Sequence, residues 1–476
     1  MSTDIRDETR GLDRFLRLFA DVRAGEGLTA VLLALNIFLL LTAYYVLKPV
    51  REALILGQGS AELKSYLSAG MVGVLAVVIP LYGRLASRVS RRRLINVVTA
   101  IFTACLVGFY ALTQYGVPFA EVYFVWIGIF SMMIPAQFWS FANDVYTKDE
   151  GERLFPIVGF GASLGAVLGA VVAAWLIGPL GIDQLMLVGA GILIVQVVLI
   201  NYIDRREGRR AEQRPADPSA PAVATSAAAA EPQPRAKGAF AMVLGTPYLL
   251  MIGLMLMCLN WVNTTGEYIL GSVVADAART AVAAGTTSGL TVEQYIGQFY
   301  SRFFGVVNVA GLLIQLFLVS RIIKYFGVRI GVMLLPCLAL GAYNVLAFFP
   351  ILSVVRWAKT AENATDYSLN NTVRNMLFLP CTREQKYSGK QAIDSFFVRI
   401  GDVLSAGLVF IGTTYFALGG SGFAKVNIAI VAGWLVLAFL VGREYSRMAR
   451  TGSQPGQRLV GAHGDASPAL PSPVPG

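Results

Sequence analysis

Runs of about twenty mostly apolar residues, each long enough to cross the hydrocarbon core of a bilayer, recur about twelve times along this 476-residue chain. They fall near 29–51, 66–85, 94–113, 120–142, 155–178, 184–203, 246–270, 297–319, 328–350, 352–379, 393–418 and 422–442. The connections between them are short and leave no room for a separate soluble catalytic domain. Composition agrees: 55% of the residues are hydrophobic and 14% are charged, whereas a soluble domain carries about a quarter charged residues. The expected fold class is an all-α integral membrane protein of twelve transmembrane helices.

Basic residues report how such spans are oriented, because they collect in cytoplasmic loops. Of the 39 Lys and Arg residues, 29 flank one set of loops, including Arg84 to Arg93, Arg205 to Arg214 and Arg443 to Arg458. The opposite loops hold Lys64, Arg279 and Lys425. Both termini are therefore expected on the cytoplasmic side, and most of the net charge of +10 needs no anionic partner such as a nucleic acid.

Residues 1–28 are polar with Leu12, Phe15, Leu16 and Phe19 at helical spacing, and read as an amphipathic cytoplasmic lead-in rather than a signal peptide. Residues 204–241 turn polar and contain Pro215, Pro218, Pro221, Pro232 and Pro234. That stretch is expected to be a flexible linker between six-helix halves at 29–203 and 242–446. The tail 447–476 is similar in composition and holds the single histidine, His463, so a histidine relay or metal site is not expected.

The two halves share weak internal matches in the same order. Gly83 to Arg93 pairs with Ser320 to Arg329, Thr147-Lys-Asp-Glu150 with Thr382-Arg-Glu-Gln385, and Glu52 with Glu267. A longer loop near 272–294 accounts for the smaller offset of the last pair. This 6+6 duplication resembles the architecture of the major facilitator superfamily.

A charge at the bilayer centre costs about 2.5–3.5 kcal/mol on insertion scales. Seven basic residues nevertheless lie in or at the edge of spans: Lys48, Arg51, Arg302, Arg356, Lys359, Arg374 and Arg399. Glu52, Glu267, Glu362, Asp366, Asp394 and Asp402 accompany them. In the tenth span Lys359, Glu362, Asp366, Asn370 and Arg374 follow one another at helical spacing, which predicts one polar stripe on an aqueous pathway. An extramembrane loop there is the alternative, and it would break the even span count. In the first span Lys48, Arg51 and Glu52 can approach one another around Pro49. They can form an intrahelical ion pair or present an arginine fork to a carboxylate or phosphate. Glu267 follows Asn260, Asn263, Thr264 and Thr265 and has no adjacent basic residue.

Other signals point to structure. Gly161, Gly165 and Gly169 form a close-packing face. Cys105, Cys258, Cys337 and Cys381 have no paired spacing, and there is no phosphate-binding loop. No metal, cofactor or enzymatic activity is therefore expected.

Tyr44-Tyr-Val-Leu-Lys-Pro-Val-Arg-Glu-Ala-Leu-Ile55 resembles the first-span signature of the nucleotide transporter family of plastids and intracellular bacteria, the ATP/ADP translocases. Phe138-Trp-Ser-Phe-Ala-Asn143 is similar to that family's fourth-span motif, and Glu267 to its seventh-span glutamate. The most specific block runs from Tyr367 through Arg374 to Pro380, then Lys386, Gly389, Lys390 and Asp394. Two positions depart from the pattern: Asn375 stands where the family usually has Glu, and Gly401-Asp402 where Gly-Lys is expected.

The resemblance implies a divergent bacterial member in the inner (plasma) membrane, a secondary transporter exchanging nucleotides or related phosphorylated anions, with no cofactor. Lys48, Arg51, Lys359 and Arg374 are then expected to contact phosphates beside Glu52. Glu267 and Asp366 take part in gating ion pairs or charge compensation. Asn143, Asp144, Lys386, Lys390, Asp394, Arg399 and Asp402 are the gating or motif positions. A proton-coupled facilitator of another solute and a non-transporting membrane scaffold are the alternatives.

Overall fold

The computed structural model describes residues 25–213, 236–287 and 289–451, with positions 13, 16, 17, 21–23, 454 and 455 besides. All of the described regular structure is helical. The first half of the chain comprises α1 (Gly27–Gln58), α2 (Ala61–Ala86), α3 (Arg91–Gln114), α4 (Ala120–Val145), α5 (Lys148–Leu180) and α6 (Gln184–Gln213). In the second half, α7 (Ala236–Gly245) and α8 (Pro247–Ala283) are followed by α9 (Val292–Leu313), which runs through a π-helical stretch, Ile314–Val319, into α10 (Ser320–Phe348). Next, α11 (Leu352–Thr365) continues through π-helical Asp366–Asn370 into α12 (Asn371–Met376). The π-helical stretches Gln385–Gly389 and Ile393–Phe397 bracket α13 (Lys390–Ala392), and α14 (Val398–Phe416) and α15 (Gly420–Thr451) complete the chain.

Local chemistry sets the helix starts. Thr147 and Glu150 exchange side-chain and backbone hydrogen bonds at the head of α5, a capping box that satisfies otherwise orphaned N–H groups. Thr382 and Gln385, their matched positions in the second half, make the same reciprocal pair at 3.0 and 3.3 Å. Asp13 supplies a cap from a distance, its carboxylate accepting from the Gly25 and Gly27 N–H groups, each at 3.0 Å.

Ten helical runs among the described residues are long and apolar enough to cross a membrane. One of them, Val292–Phe348, has 57 residues, about 85 Å of helix at 1.5 Å per residue against a ~30 Å hydrocarbon core. It breaks at Gly327, whose φ of +73° is open to glycine but costly for side chains. The basic loop expected at 320–329 is thus helix interrupted at one residue. The run 352–376 lies outside the ten because it carries Arg356, Lys359, Glu362, Asp366 and Arg374. Exposed Trp175, Val198, Phe348 and Phe416 make an apolar exterior suited to lipid.

Both ends of the stretch 204–241, expected to be a flexible linker, are helical. Residues 204–213 extend α6, and 236–241 belong to α7. Asp-Arg-Arg-Glu-Gly-Arg-Arg-Ala-Glu-Gln is polar but mostly composed of good helix formers, so polarity there does not end the helix. Residues 214–235, most of the amphipathic segment 1–28, and the tail beyond Pro455 with His463 lie outside the described residues.

The bundle is organised around α1, which packs against α5, α6 and α9. The glycine series in α5 makes this close approach possible. A Cβ at Gly161, Gly165 or Gly169 would stand 2.5, 2.4 or 2.6 Å from the carbonyl oxygen of Ala34, Phe38 or Thr42. The halves meet where α9 packs on α1 and α5, and where α2 packs on α14 and α8. Thr29 Oγ1 donates to Glu207 Oε1 at 2.8 Å, so α1 begins where α6 ends; this is the terminus-bearing end of the bundle.

Candidate translocation site

Away from that end, charges from four helices converge. Glu52, in the penultimate turn of α1, is 1% exposed and accepts from Arg51 Nε at 2.9 Å. Lys64 Nζ, from the first turn of α2, lies 2.7 Å from Glu52 Oε2 and 3.7 Å from Glu267 Oε2 on α8. Glu267 Oε1 in turn lies 3.7 Å from Lys359 Nζ and accepts from Asn363 Nδ2 at 3.1 Å, both on α11. Lys359 also reaches Glu362 Oε2 at 3.1 Å and donates to Asn263 Oδ1 at 2.8 Å. Tyr343 on α10 closes the chain, its hydroxyl donating to the Val262 carbonyl at 3.1 Å and lying 3.4 Å from Glu362 Oε2.

The result is one alternating series, Arg51–Glu52–Lys64–Glu267–Lys359–Glu362, running from the first half of the chain to the second. Burying a charge is costly unless it is paired, and here each carboxylate has a basic neighbour. Around it the halves touch again. Tyr268 OH donates to Glu62 Oε1 at 2.8 Å, and Arg279 Nη2 donates to the Leu56 carbonyl at 3.4 Å.

Lys48 sits one turn deeper on α1 and behaves differently. It is 8% exposed, with no ion-pair partner among the described residues. Its ammonium lies 3.9 Å from the centre of the Phe304 ring, 5.4 Å from that of Tyr45 and 5.9 Å from that of Tyr44. The negative faces of these rings stabilise a cation without neutralising it. Tyr367, mid-run between α11 and α12, stays 48% exposed. A cation and aromatic faces therefore meet beside the ion series.

The remaining predicted residues occupy separate places. The stripe on the tenth span divides at its π-helical turn, which winds more than four residues per turn and rotates the face. Lys359 and Glu362 join the buried series, Asp366 accepts from Asn370 at 2.6 Å, and Arg374 pairs with Asp394 at 2.6 Å. Asp402 accepts from Asn260 and Thr264 at 2.7 and 2.8 Å and from Arg399 at 3.1 Å, so the acidic departure there is fully satisfied. Asn375 accepts from Lys390 Nζ at 2.7 Å. Asn143 and Asp144 lie at the other end of α4, where Asp144 pairs with Arg91 at 2.5 Å, and Lys386 is solvent-exposed near Thr382.

Of the two readings open for Arg51, the structure shows the intrahelical ion pair, its guanidinium engaged by Glu52. Lys48 does not pair with Glu52, whose oxygens are taken by Arg51 and Lys64. Lys64 is not a loop charge: it lies in α2 at 6% exposure, at the centre of the series. The signal for Lys64 was present in Ser60, whose hydroxyl accepts from the Leu63 N–H and starts the helix at Ala61. Tyr343 and Phe304 carried no comparable signal, since their roles depend on which helices meet.

A family model described as Major Facilitator Superfamily matches residues 28–375. The chain belongs to this superfamily. It is accordingly a multi-pass membrane protein and a membrane transporter of the major facilitator type. A second model, described as TLC ATP/ADP transporter, matches residues 351–445, the segment holding the stripe, Asp394 and Asp402. The chain is 24% identical over 346 residues to ADP,ATP carrier protein 1 of Chlamydia pneumoniae, covering 65% of this chain and 64% of that carrier. It is 21% identical over 520 residues to ADP,ATP carrier protein 2 of Chlamydia trachomatis serovar D, covering 92% of each. The resemblance to ATP/ADP translocases therefore holds, at the low identity of a divergent member.

Solved transporters share the superfamily fold. A mutant form of the nucleoside transporter NupG superposes with a TM-score of 0.62 at 13% identity, covering 87% of this chain and 98% of that one. A POT family transporter in complex with 5-aminolevulinic acid gives 0.55 at 12% identity, covering 88% and 96%.

Proposed function

We propose that the protein exchanges nucleotides, or closely related phosphorylated anions, across the bacterial inner membrane by alternating access. In this reading twelve spans form two six-helix halves, with the termini and the 214–235 connection on the cytoplasmic side. The observation that carries it is the pairing of an ion series that latches the halves with an uncompensated ammonium, Lys48, set among aromatic rings. Phosphate oxygens supply the negative charge that Lys48 lacks, and the faces of Tyr44, Tyr45 and Phe304 suit a planar base. Homology to ADP,ATP carriers supports that choice of anion.

Opening the latched end requires the contacts of Lys64 with Glu52 and Glu267 to be exchanged for others. A substrate anion near Lys48 can repay part of that cost by drawing the neighbouring lysines toward itself. A ligand shifts such an equilibrium only by its difference in affinity between the two states. Arg374–Asp394 and Arg399–Asp402 stand on the second half as pairs able to rearrange when the other end closes.

The test is counter-exchange in proteoliposomes preloaded with ADP and offered labelled ATP. Uptake that requires internal nucleotide, and is reduced at least tenfold in Lys48→Gln, is expected. Absence of exchange across a panel of nucleotides ends this reading. Uptake driven by a pH gradient without nucleotide would assign the protein to the proton-coupled facilitators instead.

A further inference from the structure

The segment Tyr325-Phe326-Gly327-Val328-Arg329 does more than bend α10. With the helix broken at Gly327, Tyr325 and Phe326 project outward, 71% and 59% exposed. Arg329, just past the break, turns back onto α15, its guanidinium carbon 5.2 Å from the centre of the Phe439 ring. Gly442 makes room for its stem, since a Cβ there would stand 3.0 Å from Arg329 Cγ. Between these helices lies a groove of about 620 Å³, floored by Ile330, Met333 and Phe439 and bordered by Arg329, Ser446 and Arg450.

Two properties identify its occupant. Its lining is mainly apolar yet includes two arginines and no acidic residue, an arrangement suited to an anion with an attached hydrocarbon. Its level in the bundle is the second. Arg321, Lys324, Arg443, Arg447 and Arg450 gather at this end of α10 and α15, as basic residues do at the headgroup layer. Phe326, Ile330 and Phe439 are exposed on the same side. A soluble anion gains nothing from that apolar floor, and an apolar solute gains nothing from the arginines.

We propose that the α10–α15 groove binds an anionic phospholipid. Its phosphodiester is held by Arg329 and Arg450, with Ser446 at its side, and its acyl chains lie over Ile330 and Phe439. Arginine suits this role because its planar fork can donate two hydrogen bonds to one phosphate, and basic pockets between membrane helices take lipid headgroups in this way. The site is on the outer face of the second half, separate from the ion series, and does not depend on which solute is carried.

The test uses the full chain, stripped of lipid in a neutral detergent. Thermal unfolding is followed with added phosphatidylglycerol, phosphatidylcholine or inorganic phosphate, and native mass spectrometry counts retained lipid. Phosphatidylglycerol is expected to raise the melting temperature by several degrees and to survive as a tightly held adduct, while the other two do neither. Arg450→Gln, an exposed position at the end of α15, should keep the lipid-free melting temperature and lose most of the shift. The double variant R329Q/R450Q should lose the adduct altogether, and Arg88→Gln on the first half should lose nothing. An equal shift from phosphatidylcholine or inorganic phosphate would overturn the proposal, as would a phosphatidylglycerol shift that survives in both groove variants.

Discussion

The ion series and the Arg91–Asp144 pair, at opposite ends of the bundle, hold their charges in opposite ways. At the end away from the termini, Glu52, Lys64, Lys359 and Glu362 are between 1% and 6% exposed and share partners across both halves. At the terminus-bearing end the Arg91–Asp144 side chains are 39% and 51% exposed, and each side chain comes from the first half. A buried pair repays the loss of water only when intact, so removing one partner costs about 3–5 kcal/mol. An exposed pair contributes about 0–1 kcal/mol because water already solvates both partners. The ion series thus joins the two halves through buried pairs, whereas Arg91–Asp144 is an exposed pair within the first half.

This contrast is broken most severely at Glu52. Glu52→Gln leaves Arg51 and Lys64 facing each other with their shared counter-charge gone, and unfolding in detergent should show a loss of about 3–5 kcal/mol. A loss below about 1 kcal/mol would mean that water reaches this end and that no latch exists. The charge-reversed pair Glu52→Lys with Lys64→Glu should recover less than a simple exchange suggests, because Glu267 would then face a carboxylate.

Lys64→Met tests the link between the halves rather than folding. It fills the same space and leaves Glu52 its arginine, but removes the bridge to Glu267. A single cysteine at Leu56, in a background lacking Cys105, Cys258, Cys337 and Cys381, should then react several-fold faster with a charged maleimide. Unchanged labelling would show that Tyr268–Glu62 and Arg279–Leu56 hold the end closed without Lys64.

Gly165→Ala sharpens the comparison by loosening neither end. Its Cβ would fall 2.4 Å from the Phe38 carbonyl oxygen, and overpacking of this kind costs about 1–3 kcal/mol. Stability should fall while the accessibility of Leu56 stays unchanged. The smallest effect is expected at Arg91→Gln, about 0.5 kcal/mol or less, and it should vanish in high salt because an exposed pair is screened. An effect of Arg91→Gln as large as that of Glu52→Gln would erase the distinction between the two ends.

Legibility in the sequence followed the range of the forces involved. Insertion into a bilayer acts on each stretch of about twenty residues separately, so the spans could be placed from the chain. The same penalty makes intramembrane charges conspicuous, which is why Lys48, Arg51, Glu52, Glu267, Lys359 and Asp366 could be named. Segment boundaries were harder where polarity and helix propensity disagree, as at 204–213, and where one glycine interrupts a helix, as at Gly327. Lys64 was misplaced because a charge near a short connection looks like a loop charge until its helix cap is recognised.

The sequence by itself determined that this is a chain of membrane helices, which charges lie inside them, and which family they resemble. The tertiary structure decided who pairs with whom. Glu52 could have closed on Lys48 one turn away, but the crossing of α1, α2 and α8 brings Lys64 to it instead and leaves Lys48 among aromatic rings. The physical reason is that an ion pair depends on ångström-scale approach between side chains. Helix packing sets that approach from contacts distributed over the whole bundle, and sequence spacing sets it only within one helix.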